Sequence, residues 1–585
     1  MDRLVKKIRV VSIIVLCLFF NKIYGQLNTD NYNSLINTVP KEKVFLTTNT
    51  NMFLAGEALY YKLYCLIKAQ NILSHISKIA YVELIGKSDN ILFEHKLKLV
   101  NGIVNGDFFI PASTKTGHYK LIAYTKWTLN NSQNSFFEKD IYVINPYILN
   151  EEASNNKLGQ ANDIKIGVKE TNILAQKDSY DRFRISTDSE VYKSRSKVLL
   201  EIESLLEGQN HGNYSISVRK IDSVDILNVG DNFRGAREGI DNKLMALPEI
   251  RGEIVSGKIK PLKSGLTVSD KIVALTIPGK DYVYKNVSTN KLGEFHFNLY
   301  EAYNNDKIII QVVDEHKEDY EIDLNIEFIK PDGLNFYNLA LEKNISNWLL
   351  DKSIQNQIES AYYHSKQDSI VSPKSNEIFY GRPSVEYLLD DYKRFPTIKE
   401  TFVEVIEEAA LRGNSDEQYR FVAYDYEEAR SNAFNHLRPL VLFDGVQIQN
   451  NLDIVHYESS KIKKIDVVRG IYFNGPSVYN GIIDIKTNNG DFDIVTKAYL
   501  KHFDFRLPQR SKIYFNPKYE SKSLDKIPDY RTQLLWMPNI TIDSNLKEIS
   551  FYTSDVEGAF EISIEGYNTN GNYIKLKKII EVKNN

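Results

Sequence analysis

RFPTIKETFVEVI (residues 394–406), PLVLFDGVQI (439–448) and IKKIDVVRGIYFNGPSVYNGIIDIKTNNGD (462–491) are three pieces of one stretch, and the fold turns on how they are read. Pro396 and Thr397 mark a helix start, with Ile398, Phe402 and Val405 on one apolar face. The apolar run Leu440 to Phe443 stops at Asp444-Gly445, the two-residue signal of a tight hairpin turn. Ile462, Ile465, Val467 and Val468 read as a second strand. After a bend at Gly475-Pro476, Gly481 to Thr487 supplies a third, closed by Asn488 to Gly490. One helix and three strands within about a hundred residues predict a small α/β unit over 394–491.

In that order the pieces resemble the plug domain of TonB-dependent outer-membrane receptors. Pro439 to Val446, Ile462 to Gly470 and Gly481 to Gly490 match its three motifs in sequence and spacing. The resemblance implies a sheet that normally sits inside a barrel of its own chain. A large outer-membrane barrel takes on the order of 22 strands of about 10 residues, and residues 492–585 are too few for one. The expectation is therefore a plug-like domain that docks onto a barrel protein or outer-membrane complex supplied by another chain.

The other end reads as a secretion address. Arg3, Lys6, Lys7 and Arg9 precede an apolar run from Val10 to Phe20, and Gly25 offers a small residue for cleavage, so 1–25 is a signal peptide. The run is short for a bilayer span, and no transmembrane segment is expected in the mature chain. Cys17, preceded by Leu16, lacks the small residue a lipid-anchor signal needs and leaves with the leader. Cys65 is then the only remaining cysteine and has no partner for an intrachain disulfide. Its place in the alternating run Leu59 to Ile67 reads as a buried small apolar residue.

The chain has 73 Lys and Arg against 76 Asp and Glu. Residues 1–25 hold five of the basic residues and one Asp, leaving 68 against 75. The basic residues are scattered, which argues against nucleic acid. With 28 Phe, 37 Tyr and only 4 Met, the composition favours sheet. A mainly β, multi-domain chain of tandem sandwiches with one small α/β unit is the predicted fold class.

Strand-like runs at Lys43–Thr47, Leu59–Lys68, Ile79–Ile85, Ile91–Leu99, Gly117–Thr125 and Lys139–Ile144 predict a sandwich over 41–146. The wording EKVFLTTNTNMFLAGEALYYKLY, YVEL and NGIVNGDFFIPASTKTGHYKLIAYTKW resembles the macroglobulin-type MG domain of secreted Bacteroidetes proteins. The resemblance implies packing roles for Ala55-Gly56-Glu57 and Gly117-His118-Tyr119. The Cys-Gly-Glu-Gln thioester of protease-trapping macroglobulins does not occur. A second sandwich is expected over 165–240, after a linker from Asn145 to Asp163. A third over 248–330, with Gly293-Glu294-Phe295 before a strand, resembles the carboxypeptidase regulatory-like fold, which implies no peptidase activity. Residues 333–393 change to helical spacing: Leu334, Tyr337, Leu341, Ile345 and Trp348, then Leu350, Ile354 and Ile358. This predicts a helical connector whose apolar stripe packs on its own domain. Residues 495–585 are expected to form a closing sandwich, similar to the last domain of the same MG-plus-plug family.

No constellation for catalysis is legible. The ten histidines (75, 95, 118, 211, 296, 316, 364, 436, 456 and 502) show no zinc spacing. His316 within Asp314 to Asp319 reads as a solvated acidic loop. No nucleophile elbow, phosphate loop or dinucleotide fingerprint occurs. Asp444 reads as a turn former bonding its own backbone, and Asp390 and Asp391 as a helix-end or loop pair. The chain is thus expected to be no enzyme, with no catalytic, metal or cofactor-binding residue and no cofactor. It is expected to be exported, periplasmic or on the cell surface, and associated with the outer membrane. A protein that captures peptide or glycan, through an aromatic-lined groove, and an enzyme with a dispersed site are the alternatives.

Overall fold

The computed structural model describes residues 38–130, 136–148, 163–168, 179–180, 183–205, 211–227, 246–325, 334–372, 375–413, 419–425, 436–519, 524, 526–542 and 546–584. The leader over 1–25 and Cys17 lie outside them, as does most of the expected linker. The fold is mainly β and multi-domain, as the aromatic and β-branched composition predicts.

In the first sandwich, Ala58–Ile67 runs between Glu42–Thr48 and Ile103–Phe109. The facing sheet places Met52–Leu54, Phe137–Ile144, Gly117–Tyr124, Ile79–Gly86 and Asn90–Lys98 side by side. Period-two alternation sends Leu59, Tyr61, Leu63 and Cys65 into a core with Val82, Leu84, Leu121 and Val143. Burial pushes the Cys65 thiol up, away from the reactive thiolate. At Ala55-Gly56-Glu57 the chain turns with Gly56 at φ +96°, the left-handed region that favours glycine.

The expected second and closing sandwiches are one. Phe183–Thr187 pairs with Lys197–Ser204, which pairs in turn with Leu546–Tyr552. In the facing sheet Gly212–Lys220 lies between Gln533–Ile542 and Gly558–Asn568, and Tyr573–Val582 completes the row. A single apolar core joins Val198, Leu200, Ile216 and Val218 to Phe551, Ile562, Ile564 and Ile580. Each half supplies strands with one apolar face, and neither half covers that face alone. Asp163–Val168 falls outside this sandwich. It pairs with Val224–Ile226 and Asn338–Leu341, and it packs with Leu54 and Ile144 of the first sandwich.

The first and composite sandwiches meet across a ring-rich seam. Tyr60 stacks on Trp536 with centroids 5.7 Å apart, Tyr64 meets Tyr567 at 5.3 Å, and Phe45 meets Tyr573 at 5.0 Å. Lys62 is enclosed there and donates to the Asn213 carboxamide, and burial holds its ammonium well below the ordinary lysine range.

The third sandwich sets Glu253–Pro261, Glu294–Leu299 and Tyr320–Leu324 against Ile272–Ile277, Val283–Ser288 and Lys307–Val313. Gly293 turns at φ +80° and delivers the buried Phe295, as its Gly-x-Phe reading requires. Leu500–Asp504, assigned from sequence to the closing sandwich, instead adds an edge strand beside Lys307–Val313.

The connector differs from the periodicity reading. Asn338–Leu341 is a strand, and the helix begins only at Ser346, running to Ala361. Leu350 and Ile354, expected to pack, are 61 % and 46 % exposed. The helix turns its opposite side inward because polar bonds hold it. Lys352 Nζ lies 2.9 Å from Asp222, and the Trp348 indole N–H donates to Asp222 at 3.1 Å.

The unit expected over 394–491 starts earlier: its mixed five-stranded sheet has the order Val385–Leu388, Ile462–Asn474, Ser477–Thr487, Leu440–Phe443, Val446–Gln447, and the edge strand Val385–Leu388 comes from the stretch read as helical connector. Ser477–Thr487 runs parallel to Leu440–Phe443, and the other neighbours are antiparallel. The helices Ile398–Glu404 and Leu452–Val455 flank it, and Ile398 and Phe402 are buried as read. Asp444 at φ +47° and Gly445 at φ +86° make the two-residue turn, with both central residues left-handed.

Candidate functional site

One face of the mixed sheet carries Ile465, Val467, Ile483 and Ile485 into a core that also contains Phe295, Phe297 and Ile310 of the third sandwich. The opposite face meets Ala274 and Tyr284 of the same sandwich through Leu440, Leu442 and Ile482. Where that second face ends, the apolar pattern gives way to charge. The tripeptide Lys464-Ile465-Asp466 runs antiparallel to Asp484-Ile485-Lys486, with Lys464 opposite Lys486 and Asp466 opposite Asp484. Because alternate strand residues share a face, all four charges stand together on the seam.

Asp466 and Asp484 are both 0 % exposed. The same two donors reach both carboxylates. Tyr380 O–H lies 2.6 Å from Asp484 Oδ2 and 3.1 Å from Asp466 Oδ2, and Lys486 Nζ lies 3.2 and 3.1 Å from those atoms. Tyr282, from the sandwich side, donates to Asp484 Oδ2 at 2.8 Å. Lys464 Nζ sits 3.2 Å from Asp466 and also pairs with Glu386. The other oxygens, Asp466 Oδ1 and Asp484 Oδ1, are buried with no hydrogen-bond partner. Burial raises the Asp484 carboxyl above the usual carboxylate range, and the neighbouring Asp466 adds to the rise. The tyrosine hydroxyls, desolvated and beside carboxylates, are pushed far above their ordinary value and stay protonated donors.

A recess of about 240 Å³ opens beside the pair, with Lys280, Asp281, Asn376, Glu377, Lys463 and Asn488 on its walls. Tyr282 is its one ring. A shallower recess of about 510 Å³ lies between Lys317, Gln449, Asn450, Lys497 and Tyr499. Neither has the aromatic lining a glycan groove would show. The carboxylate pair is sealed from solvent, so it can hold a proton or a seam together, and it offers no open position for a substrate.

Of the residues weighed from sequence, Asp444 also lines the smaller recess, and the others fall elsewhere. Asp444 is 1 % exposed and does more than form its turn. Its carboxylate accepts from Thr487 N–H at 2.9 Å, Thr487 O–H at 2.7 Å and Phe492 N–H at 2.9 Å, bonding the end of a neighbouring strand and the chain beyond it rather than its own backbone. Asp390 and Asp391 sit in the short turn Leu389–Asp391, where Asp390 pairs with Arg394. Asp314 bonds Lys271 at 2.7 Å and accepts from His316 N–H. The buried His118 ring bonds Asp140 at 2.7 Å and accepts from Tyr337 N–H at 3.0 Å. Among the described residues no three His, Cys, Asp or Glu side chains gather to hold a metal ion. Asp466, Asp484, Tyr282 and Tyr380 carried no sequence signal strong enough to single them out. The mirrored Lys-x-Asp and Asp-x-Lys spacing is meaningful only once the strand register is known.

No family model matches the chain, and no curated protein does. Among solved structures, it is similar to Escherichia coli alpha-2-macroglobulin activated by porcine elastase. That match has 8 % identity and a TM-score of 0.24, and covers 93 % of this chain and 44 % of the other. Salmonella alpha-2-macroglobulin reacted with methylamine gives 7 %, 0.24, 93 % and 40 %. An Escherichia coli adhesin gives 11 % identity and a TM-score of 0.14 over 51 % of this chain and 64 % of the other. The chain thus spans less than half the length of these macroglobulins. The likeness is slight and says nothing about activity.

Proposed function

We propose that this protein is a non-enzymatic scaffold associated with the outer membrane, whose plug-like sheet docks onto a barrel protein supplied by another chain. The observation that carries the reading is the setting of the mixed sheet. Its faces are covered by the chain's own third sandwich and flanking helices, and Leu500–Asp504 and the strands from Gln533 onward are taken up by sandwiches. A sheet so held is preformed for a partner and costs little ordering on binding. The MG-like wording of 41–146 and the export signal read in 1–25 fit a modular component of the periplasm or cell surface. Among the described residues no helix is long and apolar enough to cross a membrane, so attachment through a partner suits the reading. The free end of the sheet is the hairpin joining Ile462–Asn474 to Ser477–Thr487, where Phe473 is 72 % and Val478 36 % exposed as a directly opposed pair.

The test places a photo-crosslinking residue at Phe473 in the full chain in intact cells. An adduct with an outer-membrane barrel protein, found by mass spectrometry, is the expected result. Adducts confined to soluble proteins, with the chain missing from the outer-membrane fraction, would overturn the proposal.

A further inference from the structure

We propose that Lys62 and Asn213 become joined by an isopeptide bond, Nζ to Cγ, which rivets the first sandwich to the composite one. Strand geometry and the charge setting of Lys62 carry this, and neither depends on what the protein binds.

The sheets bring the two side chains together. Lys62 stands in the middle of Ala58–Ile67, held by strands on both sides, opposite Thr47 and Asn105. Asn213 stands in Gly212–Lys220, likewise between two strands, opposite Thr541 and Tyr567. The Tyr64 hydroxyl, on the same face as Lys62, donates to Asn213 C=O at 3.3 Å and ties the two sheets at this point. Lys62 Nζ donates to Asn213 Oδ1, so the carbon it would attack is one bond away. Asn105, the carboxamide across the strand from Lys62, is engaged elsewhere. Its oxygen accepts from Asn539 at 2.8 Å, and its nitrogen donates to the Tyr514 hydroxyl at 3.3 Å.

The charge setting differs from that of other enclosed lysines. Lys96 and Lys352 each have a carboxylate, at 2.7 and 2.9 Å. Lys62 is 0 % exposed, and among the described residues no carboxylate pairs with it. Its further neighbour is the Tyr64 ring, whose centre lies 4.7 Å from Nζ. A ring face offsets the desolvation of an ammonium only in part. The group escapes the rest of that cost by giving up its proton, and burial acts on Lys62 in this direction. A neutral amine keeps a lone pair and is a nucleophile. Two rigid sheets hold it against a carboxamide, and fixed proximity of that kind makes a sluggish reaction effectively intramolecular.

The step balances without a co-reactant. The Nζ lone pair adds to Asn213 Cγ, and the C=O π electrons move onto Oδ1. As they return, the Cγ–Nδ2 bond breaks, one proton passes from Nζ to Nδ2, and ammonia leaves. A secondary amide replaces a primary one, and nothing is oxidised or reduced. Asn213 is half-buried, which leaves the ammonia a way out. Among the described residues no carboxyl group bonds either side chain to speed the proton transfer, so the bond forms slowly, after folding.

The experiment digests the full mature chain with trypsin under denaturing conditions, fresh and after prolonged incubation in the folded state. Mass spectrometry should find the Lys62 peptide joined to the Asn213 peptide, in a fraction that rises with time, and the intact chain lighter by one ammonia. Lys62→Met and Asn213→Ala should each give no joined peptide. The joined peptide separates this loss from ammonia lost at an N-terminal glutamine or an Asn-Gly succinimide, neither of which links two segments. Should a variant fail to fold, the wild-type digest alone decides. Wild-type chain whose two peptides stay separate after incubation would overturn the proposal.

Discussion

Asp444 shows what one carboxylate can carry. The turn it begins needs left-handed residues, which Asp tolerates and Gly prefers. The same side chain then supplies two acceptor atoms to three buried donors across Thr487 and Phe492. Replacing it with alanine strands those donors and leaves a residue at φ +47° with no side-chain hydrogen bond to hold it there. Asp444→Ala should cost about 3 kcal/mol, read as a lowered denaturation midpoint, and Asp444→Asn distinctly less. If both variants unfold at the wild-type midpoint, the carboxylate has no such role. The turn itself was legible from Asp-Gly after four apolar residues. Its longer reach was not, because hydrogen bonds to residues 43 and 48 positions away leave no local pattern.

Among the elements, the strands were legible and their partners were not. Alternation at Lys197–Ser204 and at Leu546–Tyr552 gives each strand a face to bury, and it is silent about which strand lies alongside. A separate sandwich at each position was the economical reading, and the chain joins them across about 350 residues instead. The connector failed for another reason. Its apolar spacing at Leu350 and Ile354 is helical, yet Asp222 draws Trp348 and Lys352 inward and so sets the rotation of the helix. A polar anchor of that kind is invisible to a hydrophobic count. The expected consequence of the shared sandwich is concrete. A chain ending at Thr532 should lose ordered structure over 183–220 as well, seen as rapid proteolysis there while the first sandwich stays resistant. Protection of 183–220 in that truncated chain would refute the composite assignment.

For the molecule as a whole, the mixed sheet and the third sandwich behave as one body. Phe295, Phe297 and Ile310 share a core with Phe443, Ile465 and Ile483. The turn at Gly445 fits so closely that an added Cβ would lie 2.4 Å from the Tyr282 ring. Thr276 O–H donates to Gly445 C=O at 2.8 Å, and Tyr284 O–H to Gln447 at 2.9 Å. Amide hydrogens of Leu275 and of Ile483 should therefore exchange with the same opening free energy, and residues 385–491 expressed alone should not fold. Distinct exchange classes for the two strands would show separable domains. The sequence reads as two separate pieces, each with its own motifs. That they fuse is a matter of face-to-face fit, which one chain's periodicity cannot express.

The interlaced sandwich also sets a timetable. A ribosome adding about 5–20 residues per second releases Gly212–Lys220 well over ten seconds before Gln533–Ile542 and Gly558–Asn568 exist to flank it. Throughout that interval a row of unpaired backbone groups and the bare side chains of Ile216 and Val218 stand open to any other extended segment. The arrival of Gly558–Asn568 thus shuts a door left ajar since about the first third of synthesis, and whatever shepherds the nascent chain must guard that opening until it closes.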